Sequence, residues 1–488
     1  MKNRIKQYLL AASMCVGLTA CSDFFEPIPG VQFGLDETFA SKQRTEEYLN
    51  NVYSYVREVT DAIHPNTYGG IFTEASLDGA NRWNKTYAEW TNGSFNSASA
   101  QASEYFSKYY QAIAKASTFI QNVDKCTEAA ASTRGKWKSE ARALRAYYYF
   151  ELLRLYGPIP LIGEDPIPLD ASLEELIKER NSVDECVNFI ATELQSAIDS
   201  GDLLQRAGKA NLGRMDVATC MALKAKLYLY WASPLFNGNT DQASVKNKDG
   251  KQLFPQTEDN SKWAQARDAY ERFMTFAAGQ GYKLTEVYTN GKLDPYASCR
   301  AAGEFFTTTW EAVDELIFVK LRDLYDYTYW VCPKFTDFQD TDVTGGGGYY
   351  TTQETVDLFF TKDGLTIEED PGYDKFEGIP SANNFTSGRY YDPNNPSRLY
   401  FDADKSKVLK QWKDREPRFY VNITYSGSIW LNEGKYNEEM RTDFTNGANG
   451  TCGKSKTSGD CPDSGYLIRR GAKASNNNGS KHFSPVLR

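Results

Sequence analysis

Apolar residues recur every three or four positions through the first half of the chain, which is the spacing of one face of an α-helix. The longest stripe stops before Gly157-Pro158, where proline cannot continue a helix. Ser182 and Glu185 have the spacing of a capping box and predict the start of another helix. In chain order the stripes are Leu49, Val52, Val56 and Val59; Phe106, Tyr109, Ile113, Ala116, Ile120 and Val123; Trp137, Ala141, Leu144, Tyr148, Leu152 and Leu155; Val187, Ile190, Leu194 and Ile198; and Ala218, Ala222, Ala225, Leu229 and Ala232, with a further helix from about Trp263.

Two of the predicted helices resemble each other. The residues ALRA at 143–146 return as ALKA at 222–225, 79 positions further on, and aromatic residues and then a proline follow each copy. This offset fits roughly two helical-hairpin repeats of about 34 residues plus an insertion. Small residues at helix contacts and proline at helix ends are typical of tetratricopeptide-like hairpins, which build scaffolds.

The pattern changes near residue 280 to Gly, Asn, Asp, Thr and aromatic residues with short alternating pieces at 316–319 and 419–425. These features predict long loops and short strands. The predicted fold class is therefore mostly α, with tetratricopeptide-like helical hairpins, mainly at 40–280, packed against a loop-rich lobe with short strands, mainly at 281–488. Loops held on a rigid body are where binding residues concentrate.

The N-terminus has the pattern of a secretory signal. Lys2, Arg4 and Lys6 precede an apolar run at 8–16 that is too short to span a bilayer. The run leads to Leu-Thr-Ala-Cys at 18–21, which looks like a bacterial lipobox. Residues 1–20 are predicted to be a lipoprotein signal peptide and Cys21 the lipidated mature N-terminus, the alternative being an ordinary signal with a chance cysteine. Several acyl chains on one residue anchor a protein stably.

Charge and cysteine content exclude several kinds of partner and site. Removal of residues 1–20 takes away three positive charges and no negative ones, so the formal net charge goes from −9 to −12; such an acidic chain is not expected to bind nucleic acid. The nine cysteines include no C-x-x-C pair, which gives no support to a zinc or redox motif. Cys452 and Cys461 lie close together in a polar loop, and whether they form a disulfide stays open.

Several segments together resemble the SusD/RagB family. Residues 142–153, RALRAYYYFELL, and the turn YGPIPL at 156–161 are similar to the signature helix and turn of that family. Further segments follow in family order behind CSDFFE at the predicted mature start: ALKAKLYLY with ASPLF at 222–236, TQETVDLF at 352–359, DREPRFY at 414–420 and GYLIRR at 465–470. The resemblance covers the whole mature chain.

The resemblance implies a surface-exposed, lipid-anchored protein of a Gram-negative outer membrane that binds nutrients, usually glycans. It implies delivery of the glycan to a partner, a SusC-like TonB-dependent transporter, without covalent chemistry and without a cofactor. Residues 484–488 are similar to the start of the last long helix of the family. We therefore expect the final helical hairpin to be missing, either because the sequence is a fragment of a longer chain, which we favour, or because this member of the family is shortened.

An enzyme would need residues that this chain scarcely has. Its two histidines, His64 and His482, leave no material for a histidine-centred triad or a multi-histidine metal site. The glycine run at 345–348 lacks the Lys and Ser/Thr of a phosphate-binding loop. The sequence alone does not place any pair of carboxylates for glycoside hydrolysis, so a glycosidase remains the alternative from another class. Peptide binding, or a structural role as a lid, is the alternative within the family.

A glycan binder combines aromatic platforms with polar side chains that orient hydroxyl groups. Trp83 lies in a polar stretch that also holds Asp78 and Asn84, and we predict that these three residues contact the ligand, the alternative being that Trp83 is buried in the core. A second candidate set alternates with period two, so that its tyrosines share one face of an extended segment and its tryptophan takes the other. One of these faces is expected to be core and the other a platform for the ligand, and the pattern does not decide between them. This set is Tyr325, Tyr327, Tyr329 and Trp330.

Overall fold

The computed structural model describes residues 34–57, 79–81, 93–168, 170–303, 314–322, 331–333, 346–376, 378–430, 442, 462, 464–469 and 482–487. Its helices are α1 Leu35–Ala40, α2 Lys42–Ser54, α3 Ala100–Asn122, α4 Ala131–Tyr156, α5 Leu173–Leu176, α6 Val183–Asp199, α7 Val217–Ala232, α8 Ser261–Gly279, α9 Pro295–Gly303, α10 Gln353–Asp357 and α11 Pro417–Asn422. Its strands are β1 Ala80–Asn81, β2 Tyr288–Thr289, β3 Lys292–Leu293, β4 Phe318–Arg322, β5 Tyr349–Tyr350, β6 Arg389–Asp392, β7 Asn395–Asp402, β8 Ile423–Tyr425, β9 Tyr466–Ile468 and β10 His482–Leu487.

The helices predicted from apolar stripes are present. The stripes fall in α2, α3, α4, α6 and α7, except that Val56 lies two residues beyond α2 and Val123 directly follows α3, and the helix predicted from about Trp263 is α8. Helix α4 ends at Tyr156, and Gly157 then takes a positive φ of 68°, a conformation that suits glycine. The Ser182 and Glu185 capping box forms as predicted at the start of α6. Of the stripe residues, Val59 lies outside the described residues.

Successive long helices pack on one another along the chain. Helix α3 packs between α2 and α4, α6 packs against both α4 and α7, and α7 packs against α8. Tyrosine contacts connect the layers: the Tyr109 and Tyr148 rings lie 6.0 Å apart between α3 and α4, and those of Phe150 and Tyr230 lie 5.6 Å apart between α4 and α7. Helix α4 is consequently buried on nearly all sides from Ser139 to Leu153. The predicted class, tetratricopeptide-like helices against a loop-rich lobe, is confirmed.

A charged pair lies inside this helical core. Arg145 of α4 has no exposed side-chain surface, and its Nη2 lies 2.6 Å from Glu193 Oε2 of α6. Its Nη1 donates to Ser117 Oγ of α3 at 3.0 Å. Arg142, one turn earlier, lies 3.0 Å from the other oxygen of the Glu193 carboxylate, and its side chain is 24% exposed. One buried guanidinium thus connects three helices.

Three cysteines of the helical body are buried and free: Cys126 between α3 and α4, Cys186 on α6 and Cys220 on α7. Burial raises the pKa of the Cys186 thiol to about 11 and that of Cys220 further still. The Cys186 and Cys220 sulfurs are therefore protonated at neutral pH and act as small apolar side chains.

The loop-rich lobe has its own aromatic core beside a four-stranded antiparallel sheet of order β1-β5-β9-β8. Its members are Tyr296, Val356, Tyr400, Phe401, Val408, Trp412, Phe419, Tyr420, Val421, Ile423, Tyr425 and Tyr466. The prediction of a single alternating piece at 419–425 is wrong in its first half, where α11 forms. Pro417 at the first turn favours a helix there, and only Ile423–Tyr425 is a strand.

Strand β4 attaches this lobe to the helices. The Phe318 ring packs 6.4 Å from the Tyr147 ring of α4, and Lys320 Nζ donates to the Val56 carbonyl at 2.6 Å. On its other side β4 pairs with β10. Residues 484–487, expected at the start of a helix, lie in β10 because their backbone groups pair with β4. None of the helices in the described ranges is long and apolar enough to cross a membrane.

Candidate functional site

The residues predicted from sequence to contact ligand, carry lipid or form a disulfide lie outside the described residues, so their contacts stay predictions. They are Asp78, Trp83, Asn84, Tyr325, Tyr327, Tyr329 and Trp330 for the ligand, Cys21 for the lipid, and Cys452 and Cys461 for the disulfide. We call the segment with Trp83 and the segment with Tyr325 to Trp330 the two aromatic segments. The structure describes residues that flank each of them in the chain.

The stretch 347–350, which contains β5, contacts one described end of each aromatic segment. Asn81, two positions before Trp83, pairs with Tyr349. Cys332, two positions after Trp330, accepts a hydrogen bond at 2.9 Å from the N–H of Gly347, which precedes β5 by two residues. Val331 and Cys332 are buried. One described end of each segment therefore lies next to β5 or to the residues just before it.

The family-like segments at 352–359 and 414–420 are joined by Arg415. Its Nη2 donates to the carbonyl oxygens of Val356 at 2.6 Å and Phe359 at 2.7 Å, and its Nη1 donates to Tyr373 Oη at 2.5 Å. Thr352 caps α10 by accepting from the Thr355 N–H. The arginine is buried, so these bonds fix the segment that follows β5.

The third family-like segment, at 465–470, reaches the same place through Tyr466. The Tyr466 hydroxyl donates to Gln353 Oε1 at 2.7 Å and accepts from Trp412 Nε1 at 3.0 Å. Burial raises the pKa of Tyr466 to about 12, so the hydroxyl keeps its proton at neutral pH and donates. Segments far apart in sequence thus form one hydrogen-bonded cluster under β5 and β9.

A cavity of about 610 Å³ opens beside this cluster. Trp412 and Tyr466 are largely buried and form its floor. Tyr373 and Phe376, in the loop after α10, are half-buried and form a wall. We call it the Tyr466 cavity. Its described lining is Gln353, Asp357, Ile367, Tyr373, Lys375, Phe376, Gly378, Pro380, Leu409, Gln411, Trp412, Ser426, Ser464, Gly465 and Tyr466.

The polar groups of the Tyr466 cavity suit binding. Gln353 Nε2 donates to Asp357 Oδ1 at 2.7 Å, which orients the carboxylate, and Lys375 Nζ lies 3.5 Å from Glu368 Oε1. Among the described lining residues Asp357 is the one carboxylate, whereas glycoside hydrolysis canonically uses a pair. No cluster of His, Cys, Asp or Glu in the described ranges has the arrangement of a metal site.

Sequence reasoning missed the Tyr466 cavity. Gln353, Asp357 and Tyr466 lie in family-like segments, which is a signal that could have singled them out. Tyr373 and Trp412 lie in none of those segments, and only the folded chain brings them beside the other three.

Two family models match this chain. A model described as "SusD family" matches residues 315–488. A second, described as "Starch-binding associating with outer membrane", matches residues 32–229. The chain belongs to the SusD family. The predicted resemblance is thereby confirmed, and the second description associates this family with the outer membrane.

Individual relatives agree with this assignment. A SusD-like protein of Bacteroides ovatus is 27% identical over 175 residues, which are 34% of this chain and 30% of the relative. The match thus spans less than a third of that curated relative. Among solved structures, BT4246 has a TM-score of 0.71 at 23% identity, covering 92% of this chain and 77% of that chain. A SusD-like protein from Bacteroides fragilis has a TM-score of 0.65 at 20% identity, covering 94% and 75%. These structures establish the shared fold.

Proposed function

We propose that this SusD-family protein is a surface-exposed lipoprotein that binds glycans and delivers them to a SusC-like TonB-dependent transporter. The family description of starch binding at the outer membrane supports carbohydrate as the ligand. The observation that carries the proposal for this chain is that one described end of each aromatic segment contacts the stretch 347–350, which contains β5. The proposed role is binding without catalysis.

Chain geometry supports a shared platform. Asn81 and Cys332 are each two positions from the nearest candidate platform residue, Trp83 and Trp330. Their contacts, in turn, lie within a few residues of each other on β5 and the residues just before it. Aromatic side chains in neighbouring segments provide the apolar surface that a sugar ring needs.

Replacement of Trp83 by alanine is expected to weaken glycan binding by about 1–3 kcal/mol, because a large apolar contact area is removed. The thermal midpoint should hardly move. Calorimetric titration with a bound oligosaccharide and thermal unfolding of the same sample give both values.

The matched control for this test is Trp137, which is buried in α4. Trp137→Ala should reduce the free energy of unfolding by about 3–5 kcal/mol through the cavity it leaves, without a specific effect on affinity. Tyr325, Tyr327, Tyr329 and Trp330 call for the same paired measurement. A series in which every aromatic residue loses stability and none loses affinity would contradict the platform.

The cargo and the absence of catalysis are tested separately. Binding of peptides in place of oligosaccharides would favour the alternative within the family. Release of reducing sugar from a polysaccharide by the purified protein would favour a glycosidase.

A second surface supports the transporter as partner. Between α3 and the segment at 159–178 lies a groove of about 420 Å³, lined largely by apolar side chains such as Phe106 and Ile113. Two of its lining residues are largely exposed, Leu176 at 52% and Ile177 at 68%, and Leu173, three residues before Leu176, is 73% exposed. Exposed apolar clusters of this kind mark interaction surfaces. We propose that the barrel docks here.

Replacement of Leu176 and Ile177 together by aspartate is therefore expected to abolish co-purification of the barrel from the native host in mild detergent. Both side chains are exposed, so the fold should tolerate the change. Leu284→Asp is the control, because Leu284 is 78% exposed on another part of the surface. Equal barrel recovery with both variants would place the docking surface elsewhere.

A further inference from the structure

The floor of the Tyr466 cavity is held rigid by its own hydrogen bonds. Trp412 Nε1 donates to the Tyr466 hydroxyl, which donates to Gln353. On the wall, the Tyr373 hydroxyl donates to the Gln411 carbonyl at 2.8 Å. The polar atoms of all three aromatic side chains thus have partners within the protein. What these side chains offer a ligand is ring surface in fixed positions, which lowers the entropy cost of binding.

The mouth of the cavity supplies the hydrogen-bonding groups. Gln353 and Lys375 are exposed, and Asp357 is partly exposed. Asp357 uses Oδ1 to accept from Gln353, and its second oxygen can accept a ligand hydroxyl. Ser464 and Gln411 line the interior. Aromatic ring surface below and amide, carboxylate and hydroxyl groups around it match the two faces of a pyranose ring.

Charge narrows the ligand class. Asp357 and Lys375 give the described lining one negative and one positive side chain, so the site has no net charge with which to attract an anionic or a cationic ligand. The volume of about 610 Å³ lies inside the roughly 300–1,000 Å³ range of small-molecule pockets. These features favour a neutral sugar.

An extended peptide fits less well. Peptides are commonly held by backbone pairing with a free strand edge. The strand at the cavity is β9, which contributes Tyr466, and β5 and β8 already pair with it on its two sides. The cavity therefore presents side chains in place of an open backbone edge.

We propose that the Tyr466 cavity is a saccharide site for one or two neutral pyranose residues, separate from the two aromatic segments. The class of ligand in this proposal rests on the proposed function, whereas the location of the site does not depend on it. A long glycan can then be held at two places on one molecule.

The test uses the full chain and an array of neutral and acidic oligosaccharides, followed by calorimetric titration of the neutral ones that bind. Phe376→Ala and Asp357→Ala each remove one partly exposed group of the cavity. Phe360→Ala and Asp363→Ala make the same changes at exposed positions outside it. All of these variants also carry Trp83→Ala, which weakens the other proposed site. The heat of binding that remains in the titration then comes from the cavity.

In that background the two cavity variants are expected to bind neutral oligosaccharides at least about tenfold more weakly, while the two control variants bind as before. If the parent protein binds oligosaccharides and both cavity variants bind equally well, the cavity proposal is wrong and the proposed function stands. If the parent protein binds none, the proposed function fails as well. Tighter binding of acidic than of neutral oligosaccharides would contradict the proposed ligand class. So would binding of neutral tripeptides by the parent protein that is lost in Phe376→Ala.

Discussion

Replacement of Arg145 by alanine is expected to lower the free energy of unfolding by about 3–5 kcal/mol. The Arg145 guanidinium is fully buried, and its Nε and Nη2 lie 2.7 and 2.6 Å from Glu193 Oε2. Removal of one partner of a buried ion pair leaves the other charge without compensation. It also leaves the Ser117 hydroxyl without its donor. Urea unfolding followed by circular dichroism measures the loss.

Arg142 provides the matched control. It contacts the same carboxylate at 3.0 Å, but its side chain is 24% exposed, so solvent screens the pair and Arg142→Ala should lower stability by only about 0.2–1 kcal/mol. Equal losses from the two variants would show that burial does not set the effect. Leucine at both 145 and 193 should recover most of the stability, because buried ion pairs can often be replaced by apolar residues.

Replacement of Cys21 by alanine is expected to release the protein from membranes completely. The proposed anchor is the lipidated Cys21, and alanine offers no thiol for acylation. Cell fractionation with a wash that dissociates partner proteins, together with metabolic labelling by a radioactive fatty acid, checks both steps.

Cys15→Ala is the control for this substitution, because it removes a cysteine of the predicted signal peptide six positions earlier. It should leave both membrane retention and labelling unchanged. A Cys21 variant that stays in the washed outer membrane would refute the lipobox interpretation.

The helical half of the molecule was predictable because its signal is local. Stripes such as Trp137 to Leu155 are buried because each long helix packs on its sequence neighbours, and Gly157-Pro158 ends α4 through backbone chemistry alone. The exposure of individual side chains within a stripe was less predictable than the position of the helix. Phe106 and Leu229 belong to their stripes yet are more than a third exposed, since burial depends on which neighbouring element covers that turn of the helix.

The loop-rich lobe was predictable in kind but not in detail. Short strands such as β8 gain their stability from partners distant in sequence, and β8 pairs with β9 more than forty residues later. Local pattern therefore misassigned α11. The Tyr466 cavity illustrates the same limit: Tyr373 and Trp412 acquire a common role only when Arg415 and Tyr466 tie their segments together.

The buried thiols of the helical body bear on how the protein would respond to oxidants. The proposed export would expose the chain to oxidants, and thiolates are the form that reacts with them. Cys186 and Cys220 are kept protonated by burial, and Cys126 is fully enclosed. The three cysteines lie in different layers of the helical body: Cys126 between α3 and α4, Cys186 on α6 and Cys220 on α7. The thiols of the helical body therefore resist oxidation while the helices stay packed. Each thiol becomes oxidisable only when local unfolding exposes the helices around it.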